Sequence, residues 1–233
     1  MRPHRVRSPA FLPSGAAGMP RPSFSLYLIT DRKLPKVGLA AACEDALAAV
    51  ATSHRGAVAV QLREKDLRGR ELLALARELR QICTARDAML LINDRIDIAL
   101  ASGADGIHLP VDSFSVRDAR EILGKSKLIG CATHTLAEVE AANRAGADFV
   151  VFGPVYHPIS KSAYGPAAGI EGLRAACEAS DIPVYALGGV TAERIAELSD
   201  CEIAGVAAIG SVFAAPSPAD ATRALLQAIR DEM

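Results

Sequence analysis

The chain has 233 residues, 50% hydrophobic, 23% charged and 4% aromatic, with no tryptophan. That is enough apolar side chain for a sizeable core, which excludes wholesale disorder. Lys+Arg 26 against Asp+Glu 27 leaves a net charge of -1, so no global field draws nucleic acid or an anionic membrane, and any anion must be held by local groups.

Residues 1–22, MRPHRVRSPAFLPSGAAGMPRP, are basic and rich in proline and glycine. They lack the apolar stretch of a signal peptide. They are expected to be a disordered leader, or to precede a true start at Met19. No linker or composition break follows, so residues 23–233 are read as one domain.

From Ser25 onward, short apolar runs alternate with helical patterns. The strand candidates are LYLIT (26–30), AVAVQL (57–62), MLLIN (89–93), GIHL (106–109), LIGCA (128–132), FVVFG (149–153), VYAL (184–187) and GVAAIG (205–210). All are apolar on both faces, as buried parallel strands are. Between them lie amphipathic segments. GRELLALARELRQICTARD (69–87) places Leu72, Leu73, Leu75, Leu79 and Ile82 on or near one stripe. In TLAEVEAANRAG (135–146), Thr135 can cap the helix and Gly146 can end it. TAER (191–194) reads as a cap and first turn before Ile195 and Leu198. GADGIH (103–108) and GADFVVFG (146–153) form an internal echo, each placing GAD before a strand. Eight strand–helix alternations in this length predict an α/β fold, a single-domain (β/α)8 TIM barrel. An open doubly wound sheet is the alternative, but no GxGxxG follows the first strand.

The five cysteines, Cys43, Cys83, Cys131, Cys177 and Cys201, are dispersed and contain no CxxC. Reduced thiols in a cytosol fit this better than a disulfide framework or a structural zinc site. The longest mostly apolar run, residues 203–215, is too short to span a bilayer.

A barrel of this kind works at the C-terminal ends of its strands. The second strand ends in Gln61, Arg63, Glu64 and Lys65. Arg63, Lys65 and Lys161 would converge on one mouth, and three cations held together favour an anion such as a diphosphate. The alternative is that they pair with Glu64 or Asp94. Gly188-Gly189 and Gly210-Ser211 follow the seventh and eighth strands, where this fold commonly binds phosphate through backbone N–H groups. The alternative is ordinary turn glycine. Asn93-Asp94 could place an oxygen ligand for magnesium beside the cations, or Asp94 could cap a helix starting at Arg95. His134 could act as a general acid or base, or fill space beneath the site. His108 reads as a satisfied core histidine and Cys131 as a buried thiol. His4, His54 and His157 show no ligand spacing.

Together LYLITD (26–31), VQLREK (60–65), LLINDRIDIALASGADGIHL (90–109), GCATHTLAEV (130–139), GADFVVFGPVYHPISK (146–161) and ALGGVTAERI (186–195) resemble the thiamine-phosphate synthase and thiazole tautomerase superfamily. The resemblance runs from Leu26 to about Ile229 and implies a (β/α)8 catalytic domain. It implies a magnesium-dependent transferase in thiamine biosynthesis. Hydroxymethylpyrimidine diphosphate loses diphosphate, and a thiazole phosphate attacks the pyrimidine methylene carbon. Gln61, Arg63, Lys65, Asn93, Ser160 and Lys161 then match positions handling the diphosphate and pyrimidine. Gly189, Gly210 and Ser211 match a thiazole-phosphate cradle. Asp94 matches one magnesium ligand, and His134 matches a histidine found in both branches.

The chain departs from the synthase pattern after His108. LPVDS replaces a GQED-type loop and puts Ser113 where a second magnesium ligand is usual. Asp112, one place earlier, could substitute. Ala132 replaces a usual serine, and Pro158 with Ser160 stands for two threonines. LPVDSFSVRDAR (109–120) looks more like the tautomerase branch, which needs no metal. The retained Asn93-Asp94 pair and Lys161 favour the synthase. A metal-independent tautomerase and a silent barrel that binds thiamine precursors are the alternatives. The expected partners are small molecules in the cytoplasm, with no nucleic acid and no membrane, and homo-oligomerisation is left open.

Overall fold

The computed structural model describes residues 21–50, 56–156 and 167–233. Eight strands close into one barrel: Leu26–Ile29 (β1), Val58–Leu62 (β2), Met89–Asn93 (β3), Gly106–Leu109 (β4), Leu128–Thr133 (β5), Phe149–Phe152 (β6), Val184–Leu187 (β7) and Gly205–Ala208 (β8). Each pairs in parallel with the next, and β8 returns to β1 through Leu26–Val206 and Leu28–Ala208. The helices are Leu39–Ala48 (α1), Gly69–Ala85 (α2), Ile96–Ser102 (α3), Val116–Leu123 (α4), Leu136–Ala145 (α5), Gly169–Glu178 (α6), Gly210–Phe213 (α7) and Pro218–Glu232 (α8). The predicted (β/α)8 barrel is what forms. Of the expected leader, residues 1–20 lie outside the described residues.

Alternation along each strand divides the side chains between two cores. Even-numbered residues of β1 to β3, such as Leu28, Val60 and Leu90, face the helices and join the large outer core. Tyr27, Ala59, Leu91, Phe149, Val151, Tyr185 and Ala207 fill the barrel. Four aromatic residues, Phe24, Tyr27, Phe149 and Tyr185, gather there. Phe24 stacks on Tyr185 at 4.9 Å and meets Phe149 edge-on at 5.4 Å. Tyr185 donates its hydroxyl to the Phe24 carbonyl at 2.7 Å. Gly130 leaves room for this plug, since a Cβ there would lie 2.2 Å from the Phe149 ring.

The helix ends follow the sequence signals in most places. Thr135 accepts from the Glu138 N–H in a capping box, and Gly146 closes α5 at φ 84°. The segment after β7 is different. Ala192–Cys201 is 3₁₀ rather than α, and Thr191 makes no side-chain cap. The Thr191 hydroxyl instead helps hold the Glu193 carboxyl below its usual range.

The GAD echo is a repeated clamp. Asp105 accepts from the Leu90 N–H at 2.7 Å and from Arg80. Asp148 accepts from the Ile129 N–H at 2.7 Å and from Arg120 at 2.7 Å. Each glycine before it ends a helix in the left-handed region, Gly103 at φ 69° and Gly146 at φ 84°. No helix among the described residues is long and apolar enough to cross a membrane.

Candidate active site at the barrel mouth

Strand register sets the polar layer above the aromatic plug. Gln61 lies opposite Ile29 and Leu91, and Asn93 lies opposite His108. Gln61 is 1% exposed and donates Nε2 to Asn93 Oδ1 at 3.0 Å. Its own Oε1 is buried and has no protein donor among the described residues. A buried acceptor without a donor costs ~1–3 kcal/mol, so Oε1 is open to a donor from water or a ligand.

The cations do not pair as adjacency in sequence suggests. Glu64 turns away from Arg63 and Lys65. It accepts from Thr30 Oγ1 at 2.8 Å and the Arg32 N–H at 3.0 Å, and it meets the Arg32 guanidinium at 3.5 Å. Asp66 takes Arg32 at 2.7 Å and Lys33 at 3.0 Å, and those two hold its carboxyl down to about 2. Thr30 Oγ1 accepts the Arg63 N–H at 2.9 Å and so anchors the strand end. Lys65 is exposed and makes no ion pair among the described residues.

Lys65, Asn93, Asp94, Asp112 and Ser113 line one cleft of about 260 Å³. Asp94 sits in the left-handed region at φ 66°. It is not the helix cap, since α3 begins at Ile96 with Arg95 before it. Ser113 donates its hydroxyl to Asp94 Oδ1. Asp94 and Asp112 thus reach the same cleft. Among the described residues no group of three or more His, Cys, Asp or Glu forms a metal cage. Magnesium arriving with a diphosphate needs only one or two carboxylates, because phosphate oxygens and water complete its shell. Two carboxylates and a hydroxyl, all hard oxygen donors, fit that ion.

His134 follows β5 and is exposed. Its Nδ1 hydrogen-bonds the Gly153 carbonyl. A carbonyl only accepts, so Nδ1 carries the proton in that contact. His108 is buried as expected, but its Nδ1 has no partner among the described residues. Burial, and then the Arg63 charge, push it down to about 3, so it is neutral at physiological pH. Cys131 is a buried thiol, pushed up to about 12 by desolvation.

Gly188 and Gly189 have φ of 102° and 65°. Gly210 opens α7, so Gly210 and Ser211 offer first-turn N–H groups that the helix itself does not use. A Cβ on Gly188 would lie 2.6 Å from Pro154 Cα. Gly188→Ala is therefore expected to destabilise the fold by ~2 kcal/mol. The urea midpoint measures this, and an unchanged midpoint would show that the turn relaxes freely. Ser160, Lys161 and His157 lie outside the described residues.

Two features escape sequence reasoning. The Ser113–Asp94 bond joins residues 19 apart on neighbouring loops. Arg194 donates to the Gly189 carbonyl at 3.0 Å and lies 4.6 Å over the Tyr156 ring. Nothing in TAER marks that arginine as reaching back to the glycine turn.

The family model described as thiamine monophosphate synthase matches residues 26–212. A Geobacter sulfurreducens protein provisionally named thiamine-phosphate synthase is 48% identical over 209 residues, covering 89% of this chain and 95% of its own. The thiamine-phosphate synthase of Roseiflexus castenholzii is 37% identical, covering 86% of both chains. Three further relatives are longer, and the chain spans 44%, 38% and 56% of them. The solved thiamine phosphate pyrophosphorylase of Pyrococcus furiosus superposes with a TM-score of 0.80 at 31% identity, covering 91% of this chain and 98% of that one. A barrel with this mouth, matched along most of its length, belongs to the thiamine monophosphate synthase family.

Proposed function

We infer that the chain is a thiamine-phosphate synthase, a transferase of thiamine biosynthesis. The observation that carries the reading is the single cleft where Lys65, Asn93, Asp94 and Asp112 meet beside the Gln61–Asn93 pair. The substrates are hydroxymethylpyrimidine diphosphate and a thiazole phosphate. The methylene C–O bond breaks and its electron pair leaves with the diphosphate. The thiazole nitrogen lone pair then forms the C–N bond to the methylene carbon. The products are thiamine phosphate and diphosphate.

Charge develops at both ends of the breaking bond, so preorganised charge is the main task of the residues. Arg63 and Lys65 would hold the diphosphate, and Ser160 and Lys161, which lie outside the described residues, are proposed to join them. Gln61 Oε1 would accept from the pyrimidine amino group, with the Gln61 Nε2–Asn93 bond keeping the amide from turning. Asp94 and Asp112 would hold magnesium, which supplies charge neutralisation for the leaving group. Gly189, Gly210 and Ser211 would cradle the thiazole phosphate through backbone N–H groups. The step as balanced moves no proton, so His134 lines the mouth without an acid–base task. The tautomerase reading is not needed, since the matching relatives are named as synthases. Five free cysteines, four of them buried, support the cytoplasm as the compartment.

The test is an assay of the purified protein with both substrates and magnesium, reading thiamine phosphate as fluorescent thiochrome. Magnesium-dependent product is expected. No product, where a known synthase works in parallel, would overturn the reading.

A further inference from the structure

The glycine turn after β7 is held from behind. The Tyr156 N–H donates to the Gly188 carbonyl at 2.9 Å. Arg194 Nη1 donates to the next carbonyl, that of Gly189, at 3.0 Å. The two donors are themselves joined. The Arg194 guanidinium lies 4.6 Å over the Tyr156 ring, and the Tyr156 hydroxyl donates to Glu197 at 2.9 Å. Both peptide planes are trans, because the one cis bond among the described residues is Gly153–Pro154. In a trans peptide the N–H points opposite to the C=O. Fixing the Gly188 and Gly189 carbonyls therefore also fixes the Gly189 and Val190 N–H groups, turned away from Tyr156 and Arg194. Successive N–H groups in such a turn form an anion-binding concavity.

We propose that Arg194 is a positioning residue for the phosphate-binding turn: stacked on Tyr156, it locks the Gly189–Val190 peptide so that the turn's N–H groups are set before the thiazole phosphate arrives. This rests on the synthase reading of the mouth. Arg194 touches neither substrate and acts through the backbone. Its loss would let the Gly189 peptide rotate, and glycine offers little resistance to that.

The test compares Arg194→Ala, Arg194→Lys, Tyr156→Leu and Tyr156→Phe. Arg194→Ala should raise KM for the thiazole phosphate about tenfold, the scale of one hydrogen bond to a charged group. KM for the pyrimidine diphosphate should stay within about twofold. Arg194→Lys keeps a cation over the ring and a donor, and should restore most of the loss. Tyr156→Leu removes the ring and should reproduce Arg194→Ala, whereas Tyr156→Phe keeps it and should not. An Arg194→Ala enzyme with unchanged thiazole-phosphate KM would overturn the proposal. So would a parallel rise in both KM values, which marks general loosening. If the wild-type protein makes no thiamine phosphate, the synthase reading fails by itself. Inorganic phosphate then serves as the probe by calorimetry, and equal affinity in wild type and Arg194→Ala would sink the positioning role.

Discussion

Asp94→Asn is expected to lower kcat/KM for thiamine phosphate formation about a hundredfold, or ~2.7 kcal/mol of barrier. It should also flatten the dependence on magnesium concentration. Asparagine is the informative replacement because Asp94 sits at φ 66°, which asparagine tolerates and alanine does not. The backbone bond from the Asp94 N–H to the His108 carbonyl, 2.9 Å, does not involve the side chain. Ser113 can still donate to the amide oxygen, as it does to Asp94 Oδ1. Shape and hydrogen bonds therefore survive, and the variant removes one negative charge. A site built on one or two carboxylates cannot lose one without losing much of its metal affinity. Asp112→Asn should have a smaller effect, because Asp112 is exposed and no donor among the described residues fixes its carboxylate. Initial rates across a magnesium titration measure both. An Asp94→Asn enzyme with the wild-type magnesium response would move the metal to other residues.

The barrel was legible because its signals are local. An apolar run of four to six residues between amphipathic segments is too short for a helix of its own and reads as a buried strand, and all eight candidates form strands. The cap of α5 was legible for the same reason, since Thr135, Glu138 and Gly146 complete it within one segment. Thr191 carries the same signal and makes no side-chain cap; its hydroxyl acts on the Glu193 carboxyl two residues on instead. Local spacing does not say which partner a hydroxyl will take.

The site was legible in its residue types and much less so in its pairings. Arg63, Glu64 and Lys65 look like a self-neutralising triplet. Successive side chains at a strand end point to opposite sides, so Glu64 finds Thr30 and Arg32, more than 30 residues away, and Lys65 is left beside Asp94 and Asp112. His108 was placed correctly in the core, but its unpartnered Nδ1 depends on the neighbouring Tyr27 and Phe149 rings, which only the closed barrel brings together. Arg194 gave no signal, because its partners are a carbonyl and a ring.

Asp148→Ala should be the most destabilising single change outside the mouth, by ~3–5 kcal/mol. Asp148 is 6% exposed in its side chain and Arg120 16%, so neither group has much water. Asp148 closes the β5–β6 edge by accepting from the Ile129 N–H and from Arg120, which also reaches the Lys127 carbonyl at 2.6 Å. Alanine would leave the half-buried Arg120 charge without its counter-ion and the Ile129 N–H without its acceptor. Burial raises the Asp148 carboxyl above the usual range, with Arg120 opposing. A raised folded pKa means that protonation favours the folded state. The contribution is present in full below the unfolded carboxyl pKa and is lost as pH rises through the folded one. The stability gap between wild type and Asp148→Asn should therefore narrow with rising pH. The equivalent Asp105→Ala should cost less, because the Asp105 side chain is 38% exposed and water can replace it. Urea midpoints of the three variants across pH 4–7 decide the matter. Equal losses at Asp105 and Asp148 would mean that backbone clamping, and not burial of the charge, sets the cost.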